Sequence, residues 1–175
     1  IMEGQAQPAG QLLPDGYFGT SRKLRPDKYD PEGAKKLLAE AGYPDGFSIT
    51  LATPNNRYIN DEQVAQTVAQ MFARIGVATK VDAMPVSVYF GKARKKDFGI
   101  ALLGWGSRAG DLSLRSLAAT TNPDKGYGTW NWAGYSNPRM DALVAKSLGT
   151  VDPAKREAVA REAAALAVDE MVLIP

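Results

Sequence analysis

Apolar positions recur along the chain with two periods, and segments of each period follow one another in a regular order. Residues 47–53, 77–83 and 97–104 carry the alternation or the short apolar runs that are typical of strands. Residues 61–75 and 85–95, which lie between them, place apolar side chains at helical spacing. Because strands and helices alternate, the pattern predicts right-handed crossovers and an α/β fold with a mostly parallel sheet flanked by helices.

Three further helices are marked by the residues that begin them. Asp30, Asn137 and Asp152 each precede a proline, and a polar N-cap followed by proline at the first helical position is a common helix start. A shorter helix is predicted near residues 112–119, and the apolar run at 172–174 is a candidate fourth strand. Together these segments predict one continuous α/β lobe.

The first thirty residues have a different character. Residues 1–30 are rich in glycine, proline and polar side chains and show no sustained period, so we expect an extended leader. Residues 31–175 then form the lobe itself. The chain opens in a sequence typical of the middle of a protein and closes on an apolar run, so we expect it to be a piece of a longer chain.

Composition removes several classes of function. The 175 residues include no cysteine and no histidine, which excludes disulfides, thiolate or imidazole metal ligands and Ser-His or Cys-His pairs. The net charge of +2 and the single basic cluster, Lys92 to Lys96, do not indicate nucleic-acid binding. No apolar run reaches the roughly 18 to 20 residues of a membrane span. We therefore expect no metal, no cofactor, no nucleic-acid partner and no enzymatic activity.

The sequence GWGSRAGD, residues 104–111, lies between the third predicted strand and a helix. Gly104, Gly106 and Gly110 approximate a dinucleotide fingerprint, in which glycines let the backbone approach a pyrophosphate at a helix N-terminus. The match is weak, because the bulky Trp105 occupies the turn and Asp111 would repel a phosphate. A nucleotide-binding enzyme domain built on Gly104–Gly110 is therefore the alternative function.

The same turn supports two other interpretations. Asp111 can act as the N-cap of the following helix, as a carboxylate that pairs with a ligand amine, or as both. Trp105 can fill a core or form the wall of a small-molecule pocket. Arg108 and Arg115 either balance Asp111 and lie in water or bind a ligand carboxylate or phosphate. A structural domain in which Asp111 only caps a helix stays open as a third possibility.

A segment of 19 residues, 120–138, follows the short helix without a helical pattern. Loops of this length in a compact domain are usually functional or packed against another element. The segment contains Trp130 and Trp132, whose indoles either fill a core or line a pocket.

Four stretches in combination resemble a known family. Residues 29–51, 61–76, 85–111 and 135–170 are similar to the C-terminal lobe of bacterial extracellular solute-binding proteins of the peptide/nickel type, family 5, which are the receptor subunits of ABC importers. The resemblance runs from about Pro14 to the end of the chain.

The resemblance implies one lobe of a two-lobed, periplasmic-binding-protein-like fold that closes over its ligand. It also implies a peptide or other small solute as ligand, ABC permease membrane subunits as partners, a monomeric state, and a periplasmic location or an extracellular one with a lipid anchor. In peptide-binding members the acidic residue after the Trp-Gly turn pairs with the ligand α-amino group, and Asp111 matches it. The expected ligand-binding residues are Trp105, Gly106, Arg108, Asp111, Asn131 and Trp132.

Overall fold

Three parallel strands form the sheet that the alternating pattern predicts. A computed structural model describes all 175 residues of the chain. Strand β1 (Phe47–Pro54) lies in the centre of the order β2-β1-β3 and pairs along its whole length with β2 (Val77–Met84). Strand β3 (Ile100–Ala101) is shorter than the predicted 97–104. The Leu102 amide still donates to the Ala52 carbonyl at 2.9 Å, but the next ladder bond to the Leu102 carbonyl would come from residue 54, and Pro54 has no N–H. The Leu102 carbonyl accepts instead from the Tyr89 hydroxyl at 2.6 Å.

Six helices complete the fold, and their starts agree closely with the sequence. Asp30, Asn137 and Asp152 each accept a backbone N–H from the first turn, as predicted. None of the helices combines the length and the apolar character that crossing a membrane requires. In chain order they are α1 (Pro31–Glu40), α2 (Asp61–Ala73), α3 (Val86–Arg94), α4 (Gly110–Leu117), α5 (Pro138–Gly149) and α6 (Pro153–Asp169).

The chain forms two compact units. Unit 1 comprises residues 1–6 and 28–104 and contains the sheet with α1, α2 and α3. Unit 2 comprises residues 7–27 and 105–175 and contains the other three helices. No helix or strand lies before Pro31. The predicted boundary between a leader and a single lobe stays a prediction.

Each unit has its own apolar core. In unit 1, α2 packs against β1 and β2, and α3 packs against β1. In unit 2, α4, α5 and α6 pack together through fully or almost fully buried side chains such as Leu114, Met140, Val144 and Ala163. These cores hold in place the segments that carry the candidate site residues.

The predicted fourth strand is absent. Residues 172–174 form no strand, because the Val172 amide donates to the Ala167 carbonyl at 3.0 Å and closes the end of α6. Met171, just before it, has a φ of +51°, which turns the chain out of the helix. The terminal apolar run therefore ends a helix and joins no sheet.

Candidate functional site

The stretch from Trp105 to Gly110 in unit 2 is a turn whose backbone is fixed by the chain's own groups. The Ser107 hydroxyl accepts from the Ala109 amide at 3.2 Å and donates to the Ala109 carbonyl at 3.1 Å. The Gly110 amide donates to the Phe18 carbonyl at 2.8 Å, and Phe18 forms a parallel bridge with Ala109. The segment preceding α4 is therefore held in one conformation from both sides.

These contacts contradict the phosphate-binding alternative. The Ala109, Gly110 and Leu112 amides, which would cradle a phosphate, bond to Ser107, to Phe18 and to the Asp111 carboxylate. A Cβ on Gly110 would lie 2.9 Å from the Phe18 carbonyl oxygen, so glycine is needed there for close approach of the chain itself. The glycines of this turn therefore serve internal packing.

Two residues of the turn remain open to their surroundings. Gly106 is exposed, and a Cβ at its position would meet nothing within 4 Å. Arg108 is exposed and forms neither a hydrogen bond nor an ion pair anywhere in the chain. The tip of the turn thus presents a cation and free space.

Asp111 lies inside unit 2, with only 1% of its surface exposed. Its Oδ2 accepts from Arg156 Nε at 2.7 Å and from the Ser147 hydroxyl at 2.9 Å, and its Oδ1 accepts from the Leu112 amide at 2.9 Å. The bond to Asp111 raises the pKa of the Arg156 guanidinium above its ordinary value. The carboxylate therefore connects α4 to α5 and α6.

This geometry corrects the expected capping role of Asp111. Helix α4 begins at Gly110, its N-cap is Ala109, and Asp111 is its second residue. The prediction is wrong because the Phe18 carbonyl, which is far away in sequence, engages the helix start. The expected pairing of Asp111 with a ligand amine stays a prediction, and three acceptor positions of the carboxylate are already used.

Three tryptophans form an aromatic cluster in unit 2. The Trp105 indole N–H donates to the Ser113 hydroxyl at 3.1 Å, and its ring centroid lies 5.9 Å from that of Trp130. The Trp130 and Trp132 centroids lie 5.2 Å apart. Trp130 is 36% exposed, and the other two rings are half-buried. The cluster is a partly exposed aromatic surface, which offers contact area at a low cost in conformational entropy.

Asn131, between two of these tryptophans, is buried. Its Nδ2 donates to the carbonyls of Ala119 and Tyr135, at 2.9 and 2.7 Å, and its Oδ1 accepts from the Tyr135 amide at 3.0 Å. The side chain therefore links the two ends of the loop, at Ala119 and Tyr135. Its place in the expected ligand-binding set stays a prediction, and the structure shows it as the residue that holds the loop carrying Trp130 and Trp132.

Arg115 differs from Arg108 in its surroundings. Its Nε donates to the Gly126 carbonyl at 3.2 Å, and its guanidinium lies 5.9 Å from the centre of the Tyr127 ring. Arg115 therefore stabilises the loop after α4.

The sequence patterns did not single out three residues of this arrangement, Arg156, Ser147 and Ser113. Arg156 precedes Val159, Ala160 and Ala163 on the apolar face of α6, and Ser147 continues the buried face of α5. A polar residue at the spacing of a buried face must find a partner there, and that spacing was the available signal. Ser113 of α4 follows the same rule.

In unit 1, Asp61 holds the segment that precedes α2. It is 4% exposed and accepts from the Arg57 and Tyr58 amides, each at 3.0 Å. Burial raises the pKa of this carboxyl, but the backbone hydrogen bonds from Tyr58, Arg57 and Glu62 outweigh that effect and hold the pKa below the ordinary 3.8. The ring of Tyr58 lies against Gly104, where a Cβ would come within 2.6 Å of it.

Comparison with known proteins identifies similar sequences. Residues 1–127 match the model of the bacterial extracellular solute-binding proteins, family 5 middle. The glutathione-binding protein GsiB of Salmonella typhimurium is 33% identical over 181 aligned positions, which cover 98% of this chain and 34% of the relative. GsiB of Pectobacterium atrosepticum is 35% identical and is covered to 32%. The chain thus spans about a third of the length of these relatives.

Solved structures of periplasmic binding proteins have a similar fold. The periplasmic binding protein DppA of Helicobacter pylori, in complex with the peptide STSA, matches the whole chain with a TM-score of 0.88 and 27% identity, and 34% of DppA is covered. The binding protein AgaA of A. tumefaciens R10, in complex with agropinic acid, matches 96% of the chain with a TM-score of 0.83 and 25% identity, and 34% of AgaA is covered.

Proposed function

The chain belongs to the bacterial extracellular solute-binding proteins of family 5, and from that membership we propose that it is the ligand-capture lobe of an ABC-importer receptor. The proposed ligands are peptides or similar small solutes, and the lobe contributes half of an interlobe cleft. Relatives that carry this segment include glutathione-binding proteins and a structure with a bound peptide. The observation that carries the proposal is the partly exposed tryptophan cluster beside a turn with an unpaired cation.

The expected site residues divide into two groups in this proposal. Trp105 and Trp132 form a wall for the ligand, Gly106 leaves room beside it, and Arg108 makes a polar contact. The remaining two, Asp111 and Asn131, act from the interior, because the hydrogen bonds of Asp111 hold α4 against α5 and α6 and those of Asn131 hold the loop after α4. A direct bond from Asp111 to a ligand amine is the competing role.

The lobe is proposed to work within a longer protein, because this chain spans only about a third of the length of its relatives. Closure of two lobes buries the ligand and creates the surface that ABC permease subunits recognise, a hinge motion of the kind that binding proteins use. A monomer in the periplasm, or a lipid-anchored one outside the cell, is consistent with this role. The proposed role is capture without catalysis.

Ligand-induced stabilisation of the full-length protein tests the proposal. Glutathione and a panel of dipeptides and tripeptides are added, and the melting temperature and tryptophan fluorescence are recorded. A true ligand at 100 times its Kd stabilises the folded state by about 2.7 kcal/mol. We expect stabilisation by at least one member of the panel, and a weaker response in Trp132→Ala.

Tyr43→Ala provides the matched control, because Tyr43 is an exposed aromatic residue of unit 1 and its ring lies against Phe47. Truncating it removes a similar aromatic surface without touching the tryptophan cluster. Absence of stabilisation by every compound, or binding of NAD or ATP instead, would contradict the proposed function.

A further inference from the structure

The charge that the turn before α4 presents is set by two side chains. Arg108 and Asp111 are the ionisable residues of the stretch 104–112. The Asp111 carboxylate is buried and forms an ion pair with Arg156 at 2.7 Å, so its charge is compensated inside unit 2. Arg108 is exposed and unpaired. The turn therefore offers a positive charge at its surface.

The backbone that carries Arg108 is fixed on both sides. Ser107 closes onto Ala109 through its hydroxyl, and Ala109 and Gly110 are held by Phe18. A guanidinium on a fixed backbone loses less conformational freedom on binding than one on a mobile loop.

The aromatic cluster begins only three residues before this cation. Trp105 belongs to the same turn, and its indole is fixed by the hydrogen bond to Ser113. A carboxylate fits a guanidinium by two parallel hydrogen bonds, while an apolar group gains most from a flat aromatic surface. The two features together match a solute that has an anionic end and an apolar part.

We infer that Arg108 is a specificity-determining residue that binds a carboxylate of the ligand, so that this turn selects an anionic group rather than an amine. The inference rests on the proposed function and concerns the ligand class at the same site. The carboxylate is either the C-terminus of a peptide or an acidic side chain. The chemistry is the same for both, and the experiment separates them.

The test measures the Kd of the full-length protein by isothermal titration calorimetry. Each peptide of the panel that stabilises the protein is compared in four forms: the free acid, the C-terminal amide, the N-acetyl peptide and, where it contains Glu, the Gln analogue. A charge-assisted hydrogen bond corresponds to a change in affinity of about 10- to 100-fold. We expect a loss of that size on amidation or on the Glu-to-Gln exchange, whichever removes the bound carboxylate, and only a small loss on N-acetylation.

Substitution at the turn completes the test. Arg108→Gln should bind the free acid about 10- to 100-fold more weakly and should no longer distinguish it from the form that lacks the carboxylate. Arg108→Lys should retain part of the preference, since lysine keeps the charge but not the planar fork. Arg94→Gln, which removes an exposed charge from α3 in unit 1, is the matched control and should leave the affinity unchanged.

The possible results distinguish failure of the Arg108 inference from failure of the proposed function. Peptide binding with no preference for a carboxylate, or with a preference that persists in Arg108→Gln, overturns the inference while the proposed function stands. A strong loss on N-acetylation that is abolished in Asp111→Asn also overturns it, in favour of the amine anchor. If no member of the panel binds the wild-type protein, the proposed function fails and the inference fails with it.

Discussion

Replacing Asp111 by asparagine tests whether its buried ion pair, rather than its place at the start of a helix, accounts for its contribution to stability. An asparagine at an N-cap is as good as aspartate, so a capping residue would tolerate the change. In this structure the carboxylate instead accepts from three donors, on Arg156, Ser147 and Leu112. Asparagine brings an NH₂ group with two donors, from which neither the guanidinium nor the Leu112 amide can accept a hydrogen bond. The Ser147 hydroxyl can accept from one of the two donors, so at least one buried donor stays unpaired.

The expected cost follows from these contacts. Loss of the charge-assisted bond to Arg156 costs about 2 kcal/mol, and the buried donor left unpaired costs about another 1 kcal/mol. The Arg156 side chain is 34% exposed, so water compensates part of its lost partner and keeps the cost below that of a fully buried pair. Asp111→Asn should therefore lower the free energy of unfolding by about 3 kcal/mol.

Urea unfolding of the 175-residue chain, followed by tryptophan fluorescence, measures this cost. All three tryptophans lie in unit 2, so the signal reports the unit that contains Asp111. The m-value should be unchanged. The double variant Asp111→Asn/Arg156→Gln should cost less than the sum of the two single variants, because both remove the same interaction.

A matched substitution at a true cap serves as the control. Asp152 accepts the Lys155 amide at the start of α6 and is exposed, so Asp152→Asn should change the free energy of unfolding by less than about 0.5 kcal/mol. If Asp111→Asn is equally mild, the argument from the buried ion pair is refuted.

Two further predictions concern the loop after α4 and the segment before α2. Asn131→Asp should lower the free energy of unfolding in urea by about 3 kcal/mol, since a carboxylate would replace the donor to two carbonyls. Asn122→Asp, at the N-cap of the 3₁₀ turn Pro123–Lys125, should be nearly neutral, and equal costs would contradict the role of Asn131. Because the pKa of Asp61 is lowered in the folded state, its contribution to stability is complete above pH 3.8 and is lost as the pH falls through the lower folded-state pKa. Asp61→Asn should therefore make stability less dependent on pH on the acid side, as followed by circular dichroism. An unchanged pH profile would contradict this.

The sequence predicts well what depends on neighbouring residues. The Asp-Pro and Asn-Pro pairs place the starts of three helices correctly because capping involves groups only two or three positions apart. The alternation in 47–53 and 77–83 is similarly local, and both strands extend one residue further than predicted. The family follows from several such segments in combination.

Predictions fail where a distant part of the chain supplies the partner. The start of α4 is engaged by the Phe18 carbonyl, about ninety positions upstream, which no local pattern around Asp111 reveals. The third strand ends early because β1 ends at Pro54, which has no N–H to donate to the Leu102 carbonyl, and the Tyr89 hydroxyl of α3 bonds to that carbonyl instead. In the long loop, the amide of Asn131 is used for closure, although an asparagine between two tryptophans suggests a ligand contact.

Within residues 104–111, the buried residues Gly110 and Asp111 tolerate substitution less well than the exposed Arg108. Asp111 and Gly110 are tied to groups in α5, α6 and the segment around Phe18, so a substitution at either disturbs the packing of unit 2. The Arg108 side chain meets no such constraint, because the backbone on each side of it is held by other residues. A substitution at position 108 therefore changes the charge of the turn at almost no cost in stability. If Arg108 binds a ligand carboxylate as we infer, substitution at this position would change the ligand class without changing the fold.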